Sequence, residues 1–516
     1  MVRAGIANRS IIADKSRRQC QPAFGDGLIA FSIRISLHAL MAAVLISCSS
    51  QGPFREETAG DIPCLLENKD DSGCEKYSLS ELQLNIQERP QDLQAYTLGI
   101  VEFDDQGKML KPHQAESIIN QIRERGEYHQ VSIIVYVHGW YNNAEPGNND
   151  VRKFRGILEA LSYTENLRGQ AHPEEKRDVI GVYAAWPGRP EVSIIPGLGT
   201  LSFPTRKEAA ERVAQGEIRT LLALINSTYA EIKKKPNANP RLVIVGHSFG
   251  GLIVYAALQQ YFINTVIQDD IVKSYGDLVL LINPAFEGVR YDSLNEAVNL
   301  RHRMRKKEGK PPFAKEQNPV LVTVASESDD AVRYFFPIGR FLTTIPEQVR
   351  SQSSEQYEQI LQGVGYIDGL QTHALTYKES PDNRHYAQTP EEKTKEELYE
   401  CQQRDVFARD YQPNGELQPK WQRNYSQGAV LEHLERDPTD PNWKAPNNPI
   451  WMVSVADDVI SGHSGIWETE AWLGFLRQLY TDIVSPPPGA SKPAFSTTVA
   501  QPSSSCDQIV TNNSLK

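Results

Sequence analysis

The stretch Leu242–Gly251, Leu-Val-Ile-Val-Gly-His-Ser-Phe-Gly-Gly, decides the fold of this chain. Its first four residues form an apolar strand pattern, and the small-residue helix pattern 252–257 follows directly. The glycines of Gly-x-Ser-x-Gly let strand and helix approach closely, and the cramped turn between them pushes the serine hydroxyl into the open. The stretch therefore predicts a strand, a sharp turn and a helix, with Ser248 as an accessible nucleophile.

Strands and helices alternate on both sides of this turn. Strands are predicted at 96–103, 131–137, 179–186, 242–245, 278–282, 320–324 and 451–455. Helices are predicted at 112–125, 154–163, 207–235, 250–267 and 468–480. Such alternation requires crossover connections, so the predicted fold class is α/β, with a mostly parallel sheet flanked by helices.

The predicted domain organisation has six segments. They are a lipoprotein-type signal peptide at 1–47, a polar N-terminal segment at 48–92, the first part of the α/β core at 93–336, an insertion at 337–448, the last strand and helix of the core at 449–483, and a disordered tail at 484–516. The insertion is rich in Gln, Glu, Lys, Tyr and Pro, with helical patches but no strong strand pattern. Its length predicts a lid-like subdomain that shapes the substrate site.

Composition and charge exclude some classes of partner. The chain has 516 residues, 40% of them hydrophobic, which is ample for a large core. Its net charge of -11 leaves no basic surplus to neutralise phosphates, so no nucleic-acid partner is expected. One basic run, 301–307 with Lys310, is interpreted as a solvated loop or helix face, with contact to an anionic membrane surface as the alternative.

The N-terminus carries a targeting pattern. Arg34 precedes the apolar stretch 35–47, which is shorter than the roughly 20 residues that a membrane-spanning helix needs and is typical of a signal-peptide core. Leu45-Ile46-Ser47-Cys48 resembles the lipobox of bacterial lipoproteins, which implies lipid attachment to Cys48 and removal of everything before it. On that resemblance Ser49 favours the outer membrane. We therefore expect a lipid-anchored protein of the bacterial cell envelope that faces the periplasm or the cell surface.

Four cysteines remain after such processing, namely Cys64, Cys74, Cys401 and Cys506. An even number in an oxidising compartment permits two disulfides. Cys64 and Cys74 lie in the same polar segment and are the predicted pair, which leaves the other two by elimination. The sequence has no Cys-x-x-Cys and no Cys/His cluster with metal-ligand spacing, so no structural zinc site is expected.

An accessible serine needs a histidine to take its proton and an acid to orient that histidine. The strand at 320–324 runs into an acidic turn, where Asp329 is the predicted acid, ahead of Asp330 and Glu327. His463 is the predicted base, because it lies in a glycine-bounded loop between the last strand and the last helix. An alternative acid is Asp457 or Asp458, since both precede His463 in the same loop.

A third requirement is a place for negative charge on the attacked carbonyl oxygen. His138-Gly139-Trp140 follow the buried strand at 131–137, where a loop N–H can face the serine turn. The backbone N–H groups of Trp140 and Phe249 are the predicted oxyanion donors. His138 and His247 are interpreted as structural.

Together these features resemble the α/β-hydrolase superfamily, specifically its lipase and esterase-like serine hydrolases. The resemblance covers residues 94–335 and 449–482, and it rests on His138-Gly139-Trp140, the turn at Ser248, the later acid and His463. It implies an eight-stranded type of sheet, no metal and no organic cofactor. Substrate remains open, because this fold supports many chemistries.

Three functions are compatible with these residues. The first is a lipid-anchored hydrolase that cleaves small-molecule or lipid carboxylic esters through an acyl-enzyme on Ser248. The second keeps the same triad but cleaves another bond, as a peptidase, amidase or thioesterase does. The third is a non-catalytic surface lipoprotein that uses the fold for binding.

Overall fold

The computed structural model describes residues 52–56, 64–65, 78–84, 94–171, 176–189, 202–314, 317–337, 340, 354–377, 423–424, 429–437, 439–440, 442–445, 447–467 and 469–484. Every helix and strand below belongs to the unit Pro53–Lys516. The predicted signal peptide, Cys48 and residues 485–516 lie outside the described residues. Also outside them are three cysteines of the predicted disulfides, Cys74, Cys401 and Cys506. No described helix is both long enough and apolar enough to cross a membrane.

The described residues form twelve strands and eight α-helices. Strands β1 to β12 are Cys64–Leu65, Leu79–Leu84, Gln94–Glu102, Gln130–Val137, Arg177–Ala185, Arg241–His247, Leu278–Ile282, Leu321–Ser326, His373–Tyr377, Arg423–Asn424, Ala429–His433 and Ile450–Val455. Helices α1 to α8 are Pro112–Tyr128, Asn149–Ala171, Phe203–Gln215, Ile218–Lys233, Phe249–Gln268, Asp292–Lys307, Ser354–Leu361 and Glu470–Val484. Every predicted strand is present, with ends that agree within two residues.

All twelve strands form one sheet in the order β1-β2-β3-β5-β4-β6-β7-β8-β12-β9-β11-β10. From β3 to β9 in this order every pair is parallel. Antiparallel pairs occur towards the edges, where β2 pairs with β3 and where β11 pairs with β9 and β10. The predicted α/β fold class with a mostly parallel sheet is confirmed.

The sheet is covered on both faces. In β4, Ile133 and Val135 belong to the core beneath α1, α3, α4, α5 and α6, whereas Ile134 and Tyr136 belong to the core beneath α2 and α8. A strand whose alternate side chains both meet helices needs apolar residues throughout, which explains the unbroken apolar run of β4. Both faces therefore hold the central strands rigidly.

One predicted helix is interrupted. The sequence pattern predicts a continuous helix at 207–235, but α3 ends at Gln215 and α4 begins at Ile218. At the break a Cβ on Gly216 would lie 2.4 Å from the carbonyl oxygen of Gly107, and the Glu217 N–H donates to that same oxygen. The chain turns here because it packs directly on the turn that follows β3.

The segment 337–448 differs from its prediction, which included no strong strand. It contains β9, which pairs in parallel with β12, and β11, which pairs with β9, so it extends the central sheet beyond the last core strand. Leu375 of β9 and Leu431 of β11 are fully buried in the core. Residues 378–422 lie outside the described residues, and the lid stays a prediction.

The basic run 301–307 forms the end of α6, and its interpretation as a solvated face is wrong for Arg301. This side chain is 5% exposed and donates to the carbonyl oxygens of Val266, Asp269 and Asp270, just at and beyond the C-terminal end of α5. A buried guanidinium thereby satisfies carbonyls that a helix end leaves free.

Two glycine substitutions test the packing between α5 and β4. A Cβ on Gly250 would lie 1.9 Å from the backbone oxygen of Val137, which cannot move without disturbing the sheet. We expect Gly250→Ala to lower the free energy of unfolding by about 3 kcal/mol or more. Gly156 is the control, because a Cβ there meets nothing within 4 Å on an exposed position of α2. Gly156→Ala should raise stability by about 0.5–1 kcal/mol.

Urea denaturation followed by circular dichroism measures both changes. Equal effects at the two glycines would contradict the close contact between α5 and β4.

Candidate active site

Parallel strands bring their carboxyl ends to one edge of the sheet, and the candidate residues lie there. Trp140 follows β4, Ser248 follows β6, Asp329 follows β8 and His463 follows β12. Because β4, β6, β7, β8 and β12 are consecutive neighbours in the sheet, residues far apart in sequence become close in space.

Ser248 occupies the sharp turn between β6 and α5. Its backbone has φ 56° and ψ -121°, a conformation that L-residues rarely adopt. Its N–H donates to the Ile282 oxygen of β7 at 3.0 Å, and its own carbonyl accepts the N–H of Gly251 at 2.9 Å and of Ala285 at 3.1 Å. Contacts on both sides therefore hold the strained serine in place.

Ser248, His463 and Asp329 form one chain of hydrogen bonds. Asp329 Oδ2 lies 2.7 Å from His463 Nδ1, and Ser248 Oγ lies 2.8 Å from His463 Nε2. A carboxylate oxygen only accepts, so Nδ1 carries the ring proton and Nε2 is left to accept the serine O–H. This arrangement can take a proton from the serine as its oxygen attacks a carbon.

Asp329 differs from the other candidate acids in burial. It is fully buried, and its Oδ1 accepts the N–H of Val332 at 3.0 Å, so both carboxylate oxygens are engaged. The other four acidic candidates are exposed, namely Asp330, Glu327, Asp457 and Asp458. Among these five candidate acids, only Asp329 bonds a ring nitrogen of His463.

The loop that carries His463 is held through its backbone. Asn283 Nδ2 donates to the carbonyl oxygen of His463 at 3.0 Å and to that of Gly462 at 3.3 Å. The same Asn283 accepts the N–H of Ser326 at 2.9 Å, and His247 Nε2 donates to the His463 carbonyl at 3.0 Å. Side chains from the ends of β6 and β7 thus fix the backbone position of His463.

The loop after β4 passes directly over the serine turn. A Cβ on Gly139 would lie 2.8 Å from Ser248 Cβ, so only glycine fits at this point. Within the described chain, the N–H groups of Trp140 and Phe249 have no hydrogen-bond acceptor. Two free N–H groups flanking Ser248 can receive negative charge on a bound carbonyl oxygen.

His138 supports this loop from below. It is fully buried, its Nε2 accepts the N–H of Trp186 at 3.1 Å, and its Nδ1 donates to the oxygen of Gly139 at 2.8 Å. Burial lowers the pKa of His138 to about 4. The ring therefore stays neutral near pH 7 and acts as a fixed hydrogen-bonding spacer.

An aromatic cluster borders the serine turn on the side of α3. Phe203 lies with its ring centroid 5.6 Å from that of Trp140, 5.3 Å from Phe249 and 5.7 Å from Phe336. Phe249 and Phe336 are buried, whereas Trp140 and Phe203 are half-buried. The cluster gives the candidate site one apolar wall next to the free N–H groups.

Several site residues have no motif in the sequence. Asn283 is one of them, and it lies directly after β7. The sequence feature that could have indicated Asn283 is an asparagine directly after a predicted strand. In the structure its backbone has φ 44°, a conformation that asparagine tolerates better than most residues. Ser326 and Ser328 were also not predicted as site residues. Ser328 Oγ accepts the N–H of Gly462, in the loop of His463, at 2.8 Å.

No protein-family model matches the sequence, and no curated protein does either. Solved structures similar to this chain include those of the phospholipase PlaB from Legionella pneumophila, alone and in complex with thio-NAD. The identities are 12% and 14%, and the TM-score is 0.20 for both. The matches cover 49% of this chain and 48% and 47% of the PlaB chains, so this chain spans about half the length of PlaB.

The buried histidines predict a loss of stability in mild acid. Burial lowers the pKa of His138 to about 4 and that of His247 to about 3, whereas an unfolded histidine titrates near 6.5. Below about pH 6.5 the unfolded chain therefore binds protons that the folded chain excludes. Burial raises the pKa of Asp150 to about 6, which opposes part of this effect. We expect the free energy of unfolding to fall by about 2 kcal/mol between pH 7 and pH 5.

Urea denaturation at the two pH values measures the change, and NMR of the histidine rings reports the protonation of each site. A stability that is equal or greater at pH 5, or a protonated His138 at that pH, would contradict the burial argument.

Proposed function

We propose that this protein is a serine hydrolase that cleaves carboxylic esters through an acyl-enzyme on Ser248. The observation that carries the proposal is the hydrogen-bonded chain from Ser248 Oγ through His463 to Asp329, with links of 2.8 Å and 2.7 Å. A strained serine turn beneath a loop with a free N–H supports the same conclusion. The proposed triad is Ser248, Asp329 and His463.

In the proposed reaction, Ser248 Oγ attacks the ester carbonyl carbon while His463 Nε2 takes its proton. The N–H groups of Trp140 and Phe249 stabilise the negative carbonyl oxygen, at about 3 kcal/mol for each donor. The alcohol then leaves with the proton from His463, and Ser248 keeps the acyl group. A water molecule, deprotonated by His463, releases the carboxylic acid and restores the serine.

The surroundings of the triad favour an apolar acyl group. The half-buried rings of Trp140 and Phe203 lie beside Phe249, whose N–H is one of the proposed oxyanion donors. Apolar contact beside the reacting carbon stabilises a hydrocarbon chain more than a polar one. We therefore propose small-molecule or lipid esters as substrates, with peptidase, amidase or thioesterase activity on the same triad as the alternative.

We also propose a lipid anchor on Cys48 and a location in the bacterial outer membrane. Support comes from the sequence Leu45-Ile46-Ser47-Cys48. Phe54 lies six positions after Cys48, and a fully extended chain of that length spans at most about 21 Å. Phe54 bonds Glu102 at the carboxyl end of β3, the sheet edge that carries Ser248. A lipid anchor would bring the protein to a membrane, where lipid esters are available.

A fluorophosphonate probe tests the nucleophile. We expect the wild type to become covalently labelled and Ser248→Ala to remain unlabelled, because no oxygen is left to attack phosphorus. Asp329→Asn should slow labelling and ester hydrolysis by about 10³–10⁴-fold, since an amide favours the wrong histidine tautomer. Asp330→Asn is the matched control and should react at the wild-type rate, because Asp330 is exposed and bonds no histidine nitrogen.

Labelling that survives Ser248→Ala would overturn the nucleophile assignment. An Asp330→Asn effect as large as that of Asp329→Asn would overturn the choice of acid.

Matched substrates with one acyl chain joined by an ester, a thioester or an amide test the bond that is cleaved. We expect the highest kcat/KM for the ester, and an increase as the acyl chain lengthens along the aromatic cluster. Cleavage of the amide alone would favour the peptidase or amidase alternative. No turnover of any substrate, with no probe labelling, would favour the non-catalytic binding scaffold.

A further inference from the structure

A short segment before the first long strand is docked at the carboxyl edge of the sheet. We name residues 53–56 the N-terminal strap. The backbone N–H of Phe54 donates to Glu102 Oε2 at 2.7 Å, and that of Arg55 donates to Glu102 Oε1 at 3.0 Å. Glu102 is the last residue of β3 and is 2% exposed. One buried carboxylate therefore fixes two consecutive residues of the strap.

The fixed strap places the Arg55 side chain beneath the loop that follows β4. Arg55 is 1% exposed, its Nε donates to the carbonyl oxygen of Ala144 at 2.6 Å, and its Nη2 donates to that of Glu145 at 3.3 Å. The two acceptors are consecutive peptide groups. A planar guanidinium can bond both at once, which a lysine ammonium cannot do with the same geometry.

Those two carbonyls belong to the loop that carries the proposed oxyanion donor Trp140. Directly after Trp140 the loop is also held where the N–H of Tyr141 donates to the oxygen of Gly188 at 3.0 Å, with Tyr141 at φ 65°. After Trp140 the loop is thus bonded to groups outside it at Tyr141, Ala144 and Glu145. Before Trp140 it is bonded through His138, which accepts the backbone N–H and the indole N–H of Trp186. A loop that must keep an N–H free of internal partners needs such external restraints.

We propose that Arg55 is a positioning residue. It fixes the position of the loop after β4, residues 138–148, and with it the position of the Trp140 N–H relative to Ser248. This inference rests on the proposed function. It assigns a catalytic purpose to the polar N-terminal segment, which begins at Cys48, the residue proposed to carry the lipid anchor. Displacement of a donor by even about 1 Å weakens its bond to the developing oxyanion and slows the reaction.

Two substitutions and one control test the role of Arg55. We expect Arg55→Ala to lower kcat for a chromogenic ester by about tenfold or more, with KM changed less than about threefold, because the lost restraint acts on the transition state. Arg55→Lys should recover only part of the rate. Arg189→Ala is the control, since Arg189 bonds the Glu145 carboxylate of the same loop at 3.1 Å from an exposed position. It should keep the wild-type kcat.

Hydrogen exchange of the folded proteins separates positioning from simple stability. We expect Arg55→Ala to speed amide exchange across 138–148 at a temperature where circular dichroism shows the wild-type fold. Added guanidinium ion should restore part of the lost kcat of Arg55→Ala and leave Arg189→Ala unchanged. A folded Arg55→Ala variant with kcat within twofold of the wild type would overturn the proposal. So would a kcat loss that only tracks the unfolded fraction.

Failure of the proposed function gives a different result. In that case the wild type itself shows neither probe labelling nor turnover, whatever residue stands at position 55.

Discussion

The backbone conformation of Ser248 is the constraint on which the rest of the structure depends. A serine at φ 56° is strained, and the strain persists only because contacts on both sides leave no alternative. Gly246 and Gly250 allow β6 and α5 to meet so closely that a Cβ on Gly246 would lie 2.6 Å from the Gly250 oxygen. The same closeness brings α5 against the end of β4. The position of Ser248 and the packing of the central strands therefore depend on the same close contacts.

Asn283, a second strained residue, links the segments that follow β7, β8 and β12. Asn283 at φ 44° follows the strand next to that of Ser248, and its side chain bonds the end of β8 and the loop of His463. Its backbone N–H also donates to the oxygen of Val324 in β8. The proposed acid and base thus share one support, which explains how residues 134 positions apart keep a hydrogen bond of 2.7 Å.

Sequence patterns predicted the local elements well, because each core strand is an apolar run bounded by turns. The candidate triad was also predictable, since Ser248 has a motif and Asp329 and His463 follow strands that a parallel sheet aligns. Arg55 and Asn283 were not predictable. Their side chains bond backbone carbonyls 89 and 180 residues away, and any residue type supplies a carbonyl, so no pattern marks the partner. The strands β9 and β11 were missed because they are short and lie among polar residues.

Neutral histidines beside the candidate base are suited to the positive charge that the proposed reaction creates on His463. In that proposed reaction His463 becomes positive when it takes the proton of Ser248. The ring of His247 lies 5.0 Å from that of His463, centroid to centroid. A second positive imidazole at that distance would oppose the protonation of His463. Burial, followed by repulsion from His463, lowers the pKa of His247 to about 3, so His247 stays neutral while it donates to the His463 carbonyl. A lysine or arginine there would offer the same hydrogen bond with a permanent charge. The neutral donor is therefore the one that can hold the base without weakening it.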